Sequence, residues 1–136
     1  MRMDRKSDLY YIFKDLTNAL KTKIDSKYIF EGRRPDVSDE PLPYFVVIET
    51  NVNISDLAAG GKGFHFISGG SFRLFVKSKA NSTLNVEKTC SLMDEIHGLF
   101  PISGERWIAA QPIDMIKGYD GNGFHEARIS FSLHSR

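Results

Sequence analysis

The sequence predicts an α+β domain, with a mainly antiparallel sheet of four to five strands and two helices packed on one face. Three observations predict this class. Apolar residues recur at helical spacing near the start of the chain and again in its second half. Strand-like apolar runs lie between and after these segments, which gives the order α-β-β-β-α-β-β. The length of 136 residues favours a single domain, residues 1–136.

An amphipathic helix is predicted at the start of the chain, where Ser7 or Asp4 can cap the first turn. Residues 28–31 can form a short strand, and residues 32–43 predict an exposed loop because they contain three prolines. Residues 44–49 are almost continuously apolar, which indicates a strand covered on both faces. The apolar face of the helix is formed by Leu9, Ile12, Phe13, Leu16, Leu20 and Ile24.

The middle of the chain predicts two strands and a helix. Residues 64–67 have strand character, Ser68-Gly69-Gly70 predicts a turn or bulge, and residues 71–79 alternate between apolar and polar faces. The second helix is predicted at residues 83–100, with Ser82 as its N-cap. Its apolar stripe is predicted to include Val86, Cys90, Met93, Ile96, His97 and Phe100.

Two closing strands are predicted, joined by a glycine-rich hairpin turn at residues 117–123. In residues 106–116, Pro112 implies an edge position or a bulge. Simple alternation puts Trp107, Ala109, Ile113 and Met115 on one face of this strand, and Ile108, Ala110 and Ile116 on the other. Residues 124–134 alternate, with Ala127, Ile129, Phe131 and Leu133 predicted to face inward.

The sequence contains no pattern that predicts an enzyme. The stretch "DLAAGGKGFHFISGGSFRLFV" has a lysine among glycines, but it lacks the first glycine and the Ser/Thr of a phosphate-binding loop, and no helix follows. His65, His125 and Glu126 could converge on a metal if their strands were neighbours, although no ligand spacing enforces this. Cys90 is predicted to be buried and inert. We therefore predict no catalytic residue, no cofactor and no metal.

Charge and composition bear on the functional class of the protein and on the compartment in which it is made. The formal net charge is +1 and the sequence has no basic stripe, which argues against a dedicated DNA-binding protein. Arg73, Lys77 and Lys79 follow one face of a strand, and this face is solvated, lines a channel or meets a charged neighbour. The single cysteine, the lack of a signal peptide and the lack of an apolar run of about 20 residues predict a protein made in a cytoplasm.

The layout of the chain resembles the tail terminator, or tail completion, proteins of long-tailed bacteriophages. The resemblance covers nearly the whole chain in the order and length of its elements. An amphipathic helix leads into an acidic, proline-punctuated loop, and a short apolar strand, "LPYFVVIE", follows. The strand "SFRLFVKSKA" then runs directly into the helix "STLNVEKTCSLMDEIHGLF", and two strands close the chain.

The resemblance implies a non-enzymatic virion protein of the tail or neck, assembled in the host cytoplasm. Such proteins form a ring, usually of six subunits, that caps the head-proximal end of the tail tube and meets the head-side connector, while DNA passes through its centre. No motif defines their interface, so the expected contacts with subunits or tail are assigned to loops from physical reasoning: Arg33, Arg34, Asp36, Asp39, Asp56, Lys62, His65, Lys117 and Asp120. The basic residues expected to line the lumen or a sheet face are Arg73, Lys77 and Lys79.

Two other interpretations remain open at this point. The chain could be another phage neck or head-completion ring protein, since the glycine-rich segment between Glu49 and Ser71 is long. It could also be a small α+β module, unrelated to phage, that binds a peptide or a small ligand on its sheet.

Overall fold

The computed structural model of the chain describes residues 8–35, 42–51 and 68–135. These residues form an α+β fold with two α-helices and six strands. Short 3-10 helices at Ser26–Tyr28 and Ala80–Ser82 connect some of the elements. The helices are α1 (Asp8–Leu20) and α2 (Val86–His97), and the strands are β1 (Ile29–Glu31), β2 (Tyr44–Asn51), β3 (Ser68–Lys77), β4 (Ile102–Ser103), β5 (Trp107–Tyr119) and β6 (Phe124–Ser135).

The six strands form one mixed sheet in the order β1-β2-β3-β6-β5-β4. All neighbouring strands are antiparallel except β1 and β2, which run parallel. The predicted class is therefore confirmed, whereas the predicted count of four to five strands is too low. The missed strand, β4, has two residues. A strand of this length shows no alternation, so only its pairing with β5 identifies it.

Both helices pack on the same face of the sheet, which we call the helix face. From α1, the side chains of Ile12, Leu16 and Leu20 are completely buried, and Ile24 continues the same stripe just after the helix ends. From α2, Leu92, Met93 and Ile96 join the same cluster. The sheet contributes alternate residues of its strands, namely Val46, Ile48, Phe72, Leu74, Ala127, Ile129 and Leu133. The predicted amphipathic helices and alternating strands thus build the main core.

The opposite face of the sheet, which we call the second face, carries a smaller core of its own. Phe45, Val47 and Phe75 have no exposed surface, and Phe124 is 5% exposed. The rings of Phe45 and Phe75 are stacked, with centroids 4.8 Å apart. This cluster explains why β2 is almost continuously apolar, since Phe45 to Ile48 are buried on alternate faces. The prediction of a strand covered on both faces is confirmed.

The Ser68-Gly69-Gly70 segment is not a turn or bulge, as predicted, but the first part of β3. Gly69 and Gly70 are paired in register with both β2 and β6. A Cβ atom on Gly70 would lie 2.6 Å from the carbonyl oxygen of Glu49 and 2.8 Å from Cζ of Phe131. The glycines are therefore needed for close packing inside the sheet and not for a reversal of the chain.

Helix α2 is shorter than predicted, because the chain before Val86 forms a 3-10 turn and a bridge between Lys79 and Thr83. The N-cap is Asn85 and not Ser82, since the Asn85 side chain accepts a hydrogen bond from the backbone N–H of Lys88. Val86, Cys90 and His97 are exposed, so the predicted apolar stripe is too wide. The prediction that Cys90 is buried is therefore wrong.

A β-bulge in β5 reverses the faces predicted for its second half. Ala110 pairs with Ser132 and Ile113 pairs with Ser130, so β5 contains one extra residue at this point. Gln111, inside the bulge, has a φ of 55°. As a result, Ile113 and Met115 lie on the second face with Ile108 and Ala110, whereas Ile116 lies on the helix face. The sequence-based prediction of a bulge at Pro112 is confirmed, but its effect on the alternation was not included.

Candidate interaction surfaces

Arg34 and Asp120, both predicted to be interface residues, form an ion pair that covers the second-face core. Nη2 of Arg34 lies 2.6 Å from Oδ2 of Asp120. The Arg34 guanidinium carbon is also 4.8 Å from the ring centroid of Phe75, 5.6 Å from that of Phe45 and 5.8 Å from that of Phe124. A cation over three aromatic rings is attracted by their negative faces. These contacts give Arg34 a structural role within its own subunit.

The β5–β6 turn holds Asp120 in place for this contact. Oδ1 of Asp120 accepts hydrogen bonds from the backbone N–H groups of Asn122, at 2.6 Å, and Phe124, at 3.1 Å. Oδ2 is buried and its contact with Arg34 is close but not aligned as a hydrogen bond, so the interaction is mainly electrostatic. The Asp120 side chain is 7% exposed, which makes it one partner of a largely buried pair and not a residue of an exposed loop.

Arg73, predicted to line a basic lumen or sheet face, is neutralised by carboxylates on the second face. Its guanidinium donates two hydrogen bonds to Glu126, at 2.8 and 3.1 Å, and one to Glu49 at 3.1 Å. Arg128, two residues further along β6 on the same face, binds the same Glu126 at 2.8 Å. Two arginines and two glutamates therefore form a balanced network, and this part of the sheet offers no net positive charge.

The protonation equilibria reflect this network. The hydrogen bond to Glu126 raises the pKa of Arg73 further, although burial opposes the shift. Burial is the largest influence on the pKa of Glu126 and would raise it. Hydrogen bonds from Arg73 and Arg128, together with their charges, outweigh burial and lower the pKa of Glu126 below its usual value. Arg73 and Glu126 are therefore both charged at neutral pH and hold each other in place.

Two of the three residues considered for a metal site, His125 and Glu126, do not converge, and the third, His65, lies outside the described residues. His125 and Glu126 are adjacent in β6, so their side chains point to opposite faces of the sheet. Glu126 is bound by arginines, and Nδ1 of His125 lies 2.7 Å from the Ser78 hydroxyl. Within residues 8–35, 42–51 and 68–135, the structure contains no cluster of three or more metal-binding side chains.

Six exposed lysines lie together at one end of the sheet, which we call the lysine end. This end contains the starts of β1, β2 and β6 and the end of β3, as the pairing of Tyr44 with Val76 and of Lys77 with Phe124 shows. The turn after α1, the connection from β3 to α2, and the first turns of α2 lie at the same end. The lysines are Lys21, Lys23, Lys27, Lys77, Lys79 and Lys88.

Two tyrosines tie part of the lysine end together. The rings of Tyr28 and Tyr44 are in contact, with centroids 4.5 Å apart. Nζ of Lys27 lies 5.2 Å from the Tyr28 ring and Nζ of Lys88 lies 5.2 Å from the Tyr44 ring. Burial raises the pKa of Tyr44, and the charges of Tyr28, Glu95 and Asp25 add to the shift. Tyr44 is therefore neutral at physiological pH and does not compensate the lysine charges.

The edge of β5 is the second notable surface. Strand β4 covers only Ile108 and Ala109 of β5, and within the part of the chain that the structure describes no other strand pairs with this edge. The segment Ile113–Tyr119 therefore has β6 as its one strand neighbour there. Four large hydrophobic side chains on this segment are exposed, with Ile113 at 67%, Met115 at 52%, Ile116 at 47% and Tyr119 at 47%.

The remaining residues that the sequence predicted at interfaces or on a basic face are either exposed or lie outside the described residues. Arg33 and Lys117 are exposed, and Lys117 lies on the β5 edge. Lys77 and Lys79 are also exposed, but Lys79 lies beyond the end of β3 and does not share a strand face with Arg73. Five predicted interface residues lie outside the described residues, namely Asp36, Asp39, Asp56, Lys62 and His65, as do the strand predicted at residues 64–67 and the caps Ser7 and Asp4.

Sequence reasoning missed the lysine end and the β5 edge. The lysines are scattered from Lys21 to Lys88, and only the topology of the sheet brings them together. The edge carries one weak sequence signal, since residues 113–119 are apolar on both faces while Pro112 argues against a central strand.

Comparisons with known proteins add no identification. Neither a scan against protein-family models nor a search of curated proteins finds a match to this chain. Among the described residues, no helix combines the length and the apolar character needed to span a membrane.

Proposed function

We propose that this chain is a non-enzymatic virion protein of a long-tailed phage, and that it forms a ring at the head-proximal end of the tail tube. The observation that carries the proposal is the β5 edge, Ile113–Tyr119, with its four exposed hydrophobic side chains. Long apolar edges promote aggregation unless another chain covers them. A ring covers such an edge in every subunit.

The placement of the apolar residues supports coverage by another strand. Ile113 and Met115 lie on the second face, whereas Ile116 and Tyr119 lie on the helix face, as their pairing with Ser130, Arg128, Ala127 and His125 shows. A helix or loop resting on one face would leave the other side exposed. A strand added beside β5 contacts side chains on both faces and also takes up the unpaired backbone groups of the edge.

A head-to-tail arrangement follows from the two edges of the sheet. Strand β1 forms the opposite edge and carries apolar residues on both faces, because Ile29 joins the main core and Phe30 joins the second-face core. Contact between the β5 edge of one subunit and the β1 edge of the next would be heterologous. Heterologous contacts that close by rotation give rings. Ending tube growth and joining the tail to the head connector are then the roles proposed for the ring.

The matched substitutions Ile116→Lys and Val86→Lys test this proposal. Both residues are exposed hydrophobics, at 47% and 58%, but Val86 lies at the start of α2. We expect native mass spectrometry to detect rings for the wild type and for Val86→Lys, alone or on addition of tail tubes, and monomers for Ile116→Lys. A wild-type protein that stays monomeric at all concentrations, and forms no ring on tail tubes, would refute the proposal.

A small peptide- or ligand-binding module is the second candidate, supported by one observation. A groove of about 600 Å³ lies near the end of β2 and the start of β3, lined by Phe13, Thr50, Gly70, Arg128 and Ser130 among others. Such a module would remain monomeric and would bind its ligand in this groove. Other neck or head-completion rings share the edge-to-edge argument, and imaging the particle that contains the protein separates them from a tail terminator.

A further inference from the structure

We infer that the lysine end binds the phosphate backbone of double-stranded nucleic acid without reading its sequence. The inference rests on the placement of charges at this end and is independent of ring formation. Lys21, Lys23, Lys27, Lys77, Lys79 and Lys88 are all exposed there. The whole chain has a formal net charge of only +1, so this cluster is a local excess.

The described acidic residues near this end do not cancel the lysines. Asp120 is paired with Arg34, and both are thereby occupied. One carboxylate oxygen of Asp25 accepts the backbone N–H of Lys27, which holds that side chain against its own turn. Glu87 lies in the first turn of α2, where it interacts favourably with the positive end of the helix dipole. With Glu95 also within electrostatic reach of Tyr44, three carboxylates face six ammonium groups among the residues that the structure describes at this end.

The size of the lysine end suits a duplex. Lys27 precedes β1 and Lys77 ends β3, and these strands are separated by two strand spacings, or about 10 Å. Ten ångströms of duplex axis carry about six phosphate charges on the two strands. A surface of this width can therefore contact about four phosphates on the side of the duplex that faces the protein.

The choice of lysine favours a phosphate backbone over an acidic protein surface. Lysine is depleted in the centres of protein interfaces, where its ammonium group is costly to desolvate, whereas arginine and aromatic residues are enriched there. At the lysine end the arginine, Arg34, is already bound over three phenylalanine rings and cannot form a bidentate contact with a base. The ammonium groups of the lysines are hydrated point charges, and they bind backbone phosphates whatever the base sequence.

The test is the salt dependence of binding to a fluorescently labelled 20-base-pair DNA duplex, measured by anisotropy. With about four phosphate contacts, the slope of log K against log [salt] is about −3.6 per subunit, so the affinity falls about 150-fold between 50 and 200 mM salt. Two duplexes of unrelated sequence should bind with affinities within about twofold of each other, since the contacts are to phosphates alone.

A matched pair of double variants locates the contact. Lys77→Gln with Lys79→Gln removes two charges from the lysine end, and we expect the slope to fall by about half. Lys14→Gln with Arg106→Gln removes the same charge from positions outside the lysine end, one on α1 and one at the opposite end of the sheet, and should leave the slope unchanged. Circular dichroism and thermal melting confirm that both variants are folded.

Three outcomes would overturn the inference. The first is that the wild type does not bind the duplex at 50 mM salt. The second is that both double variants lower the slope equally, which would mean that the overall charge and not the lysine end governs binding. The third is that vesicles containing phosphatidylserine bind more tightly than the duplex and lose this binding in the Lys77/Lys79 variant, which would assign the lysine end to a membrane. These measurements do not require a ring. A negative result would therefore overturn the DNA-binding inference without affecting the proposed edge-to-edge assembly.

Discussion

Replacing Arg34 by alanine tests the contact that closes the second face of the sheet. Arg34 is ion-paired with Asp120 and lies over the rings of Phe45, Phe75 and Phe124. The substitution removes the cation from the rings and leaves the Asp120 carboxylate without its charged partner. Arg33, the preceding residue, is exposed and provides the control substitution Arg33→Ala.

The expected loss follows from the burial of the two partners. Breaking a fully buried ion pair costs about 3–5 kcal/mol. Here Arg34 is 26% exposed and Oδ1 of Asp120 keeps two backbone hydrogen bonds, so we expect about 2 kcal/mol from this contribution. The ring contacts add about 1 kcal/mol, because a single cation shared by three partly exposed rings does not count three times.

Chemical denaturation with urea measures the combined effect. We expect Arg34→Ala to lower the free energy of unfolding by about 3 kcal/mol, or the melting temperature by about 10 °C for a chain of this size. Arg33→Ala should change it by less than about 0.5 kcal/mol. A double-mutant cycle with Asp120→Asn separates the ion pair from the ring contacts, since the asparagine Oδ1 can keep both backbone hydrogen bonds.

Two results would refute the reasoning. If Arg34→Ala and Arg33→Ala destabilise the protein equally, the ion pair and ring contacts contribute nothing measurable. If the effect of Arg34→Ala is the same with aspartate or asparagine at position 120, the contact with Asp120 is not an energetic coupling, and the rings alone explain the loss.

The remaining predictions concern the sheet itself. Because the pKa of Glu126 is lowered on folding, its stabilising contribution is full above the unfolded value of 4.5 and is lost as the pH falls through the folded pKa. Urea titrations should therefore show that the free energy of unfolding of Glu126→Gln is closer to the wild-type value at pH 3 than at pH 7. A difference between the two proteins that stays constant with pH would contradict this. The control is the substitution Glu87→Gln at an exposed position. Gly70→Ala should cost about 2 kcal/mol or more, because its Cβ would meet the Glu49 carbonyl and the Phe131 ring. Gly98→Ala, with 3.3 Å to its nearest neighbour, should cost less.

Much of the fold was predictable because periodicity reports burial. The stripe of α1 and the alternation in β6 are both present in the structure, since each follows from one side of an element facing the core. The incorrect predictions have a common cause, because the local sequence pattern carries no information on which strands lie next to one another. Gly69 and Gly70 resemble a turn in sequence, but two flanking strands make them the positions where a side chain would not fit. Similarly, one extra residue at Gln111 reversed the faces of Ile113 to Ile116, until a second register shift before Gly118 restored the original alternation.

The candidate surfaces were less predictable than the fold, because they depend on residues distant in sequence. Arg34 and Asp120 were both selected as interface residues on the basis of their loops, yet they pair with each other across 86 positions of the chain. Arg73 looked like a free basic residue because its partners, Glu49 and Glu126, lie on neighbouring strands. Charge in a sequence therefore does not indicate charge on a surface until the pairing of the strands is known.

The sequence by itself determined the class of this protein: amphipathic helices, alternating strands and an ordinary composition require one α+β core, because hydrophobic burial depends on local periodicity. The tertiary structure alone decided where charge and apolar surface remain exposed. The order β1-β2-β3-β6-β5-β4 leaves the long edge of β5 unpaired among the described strands. It also brings six lysines to one end, from the α1–β1 connection, the end of β3, the β3–α2 connection and the start of α2. Both features are properties of strand order, and strand order is set by contacts between segments that no local pattern connects.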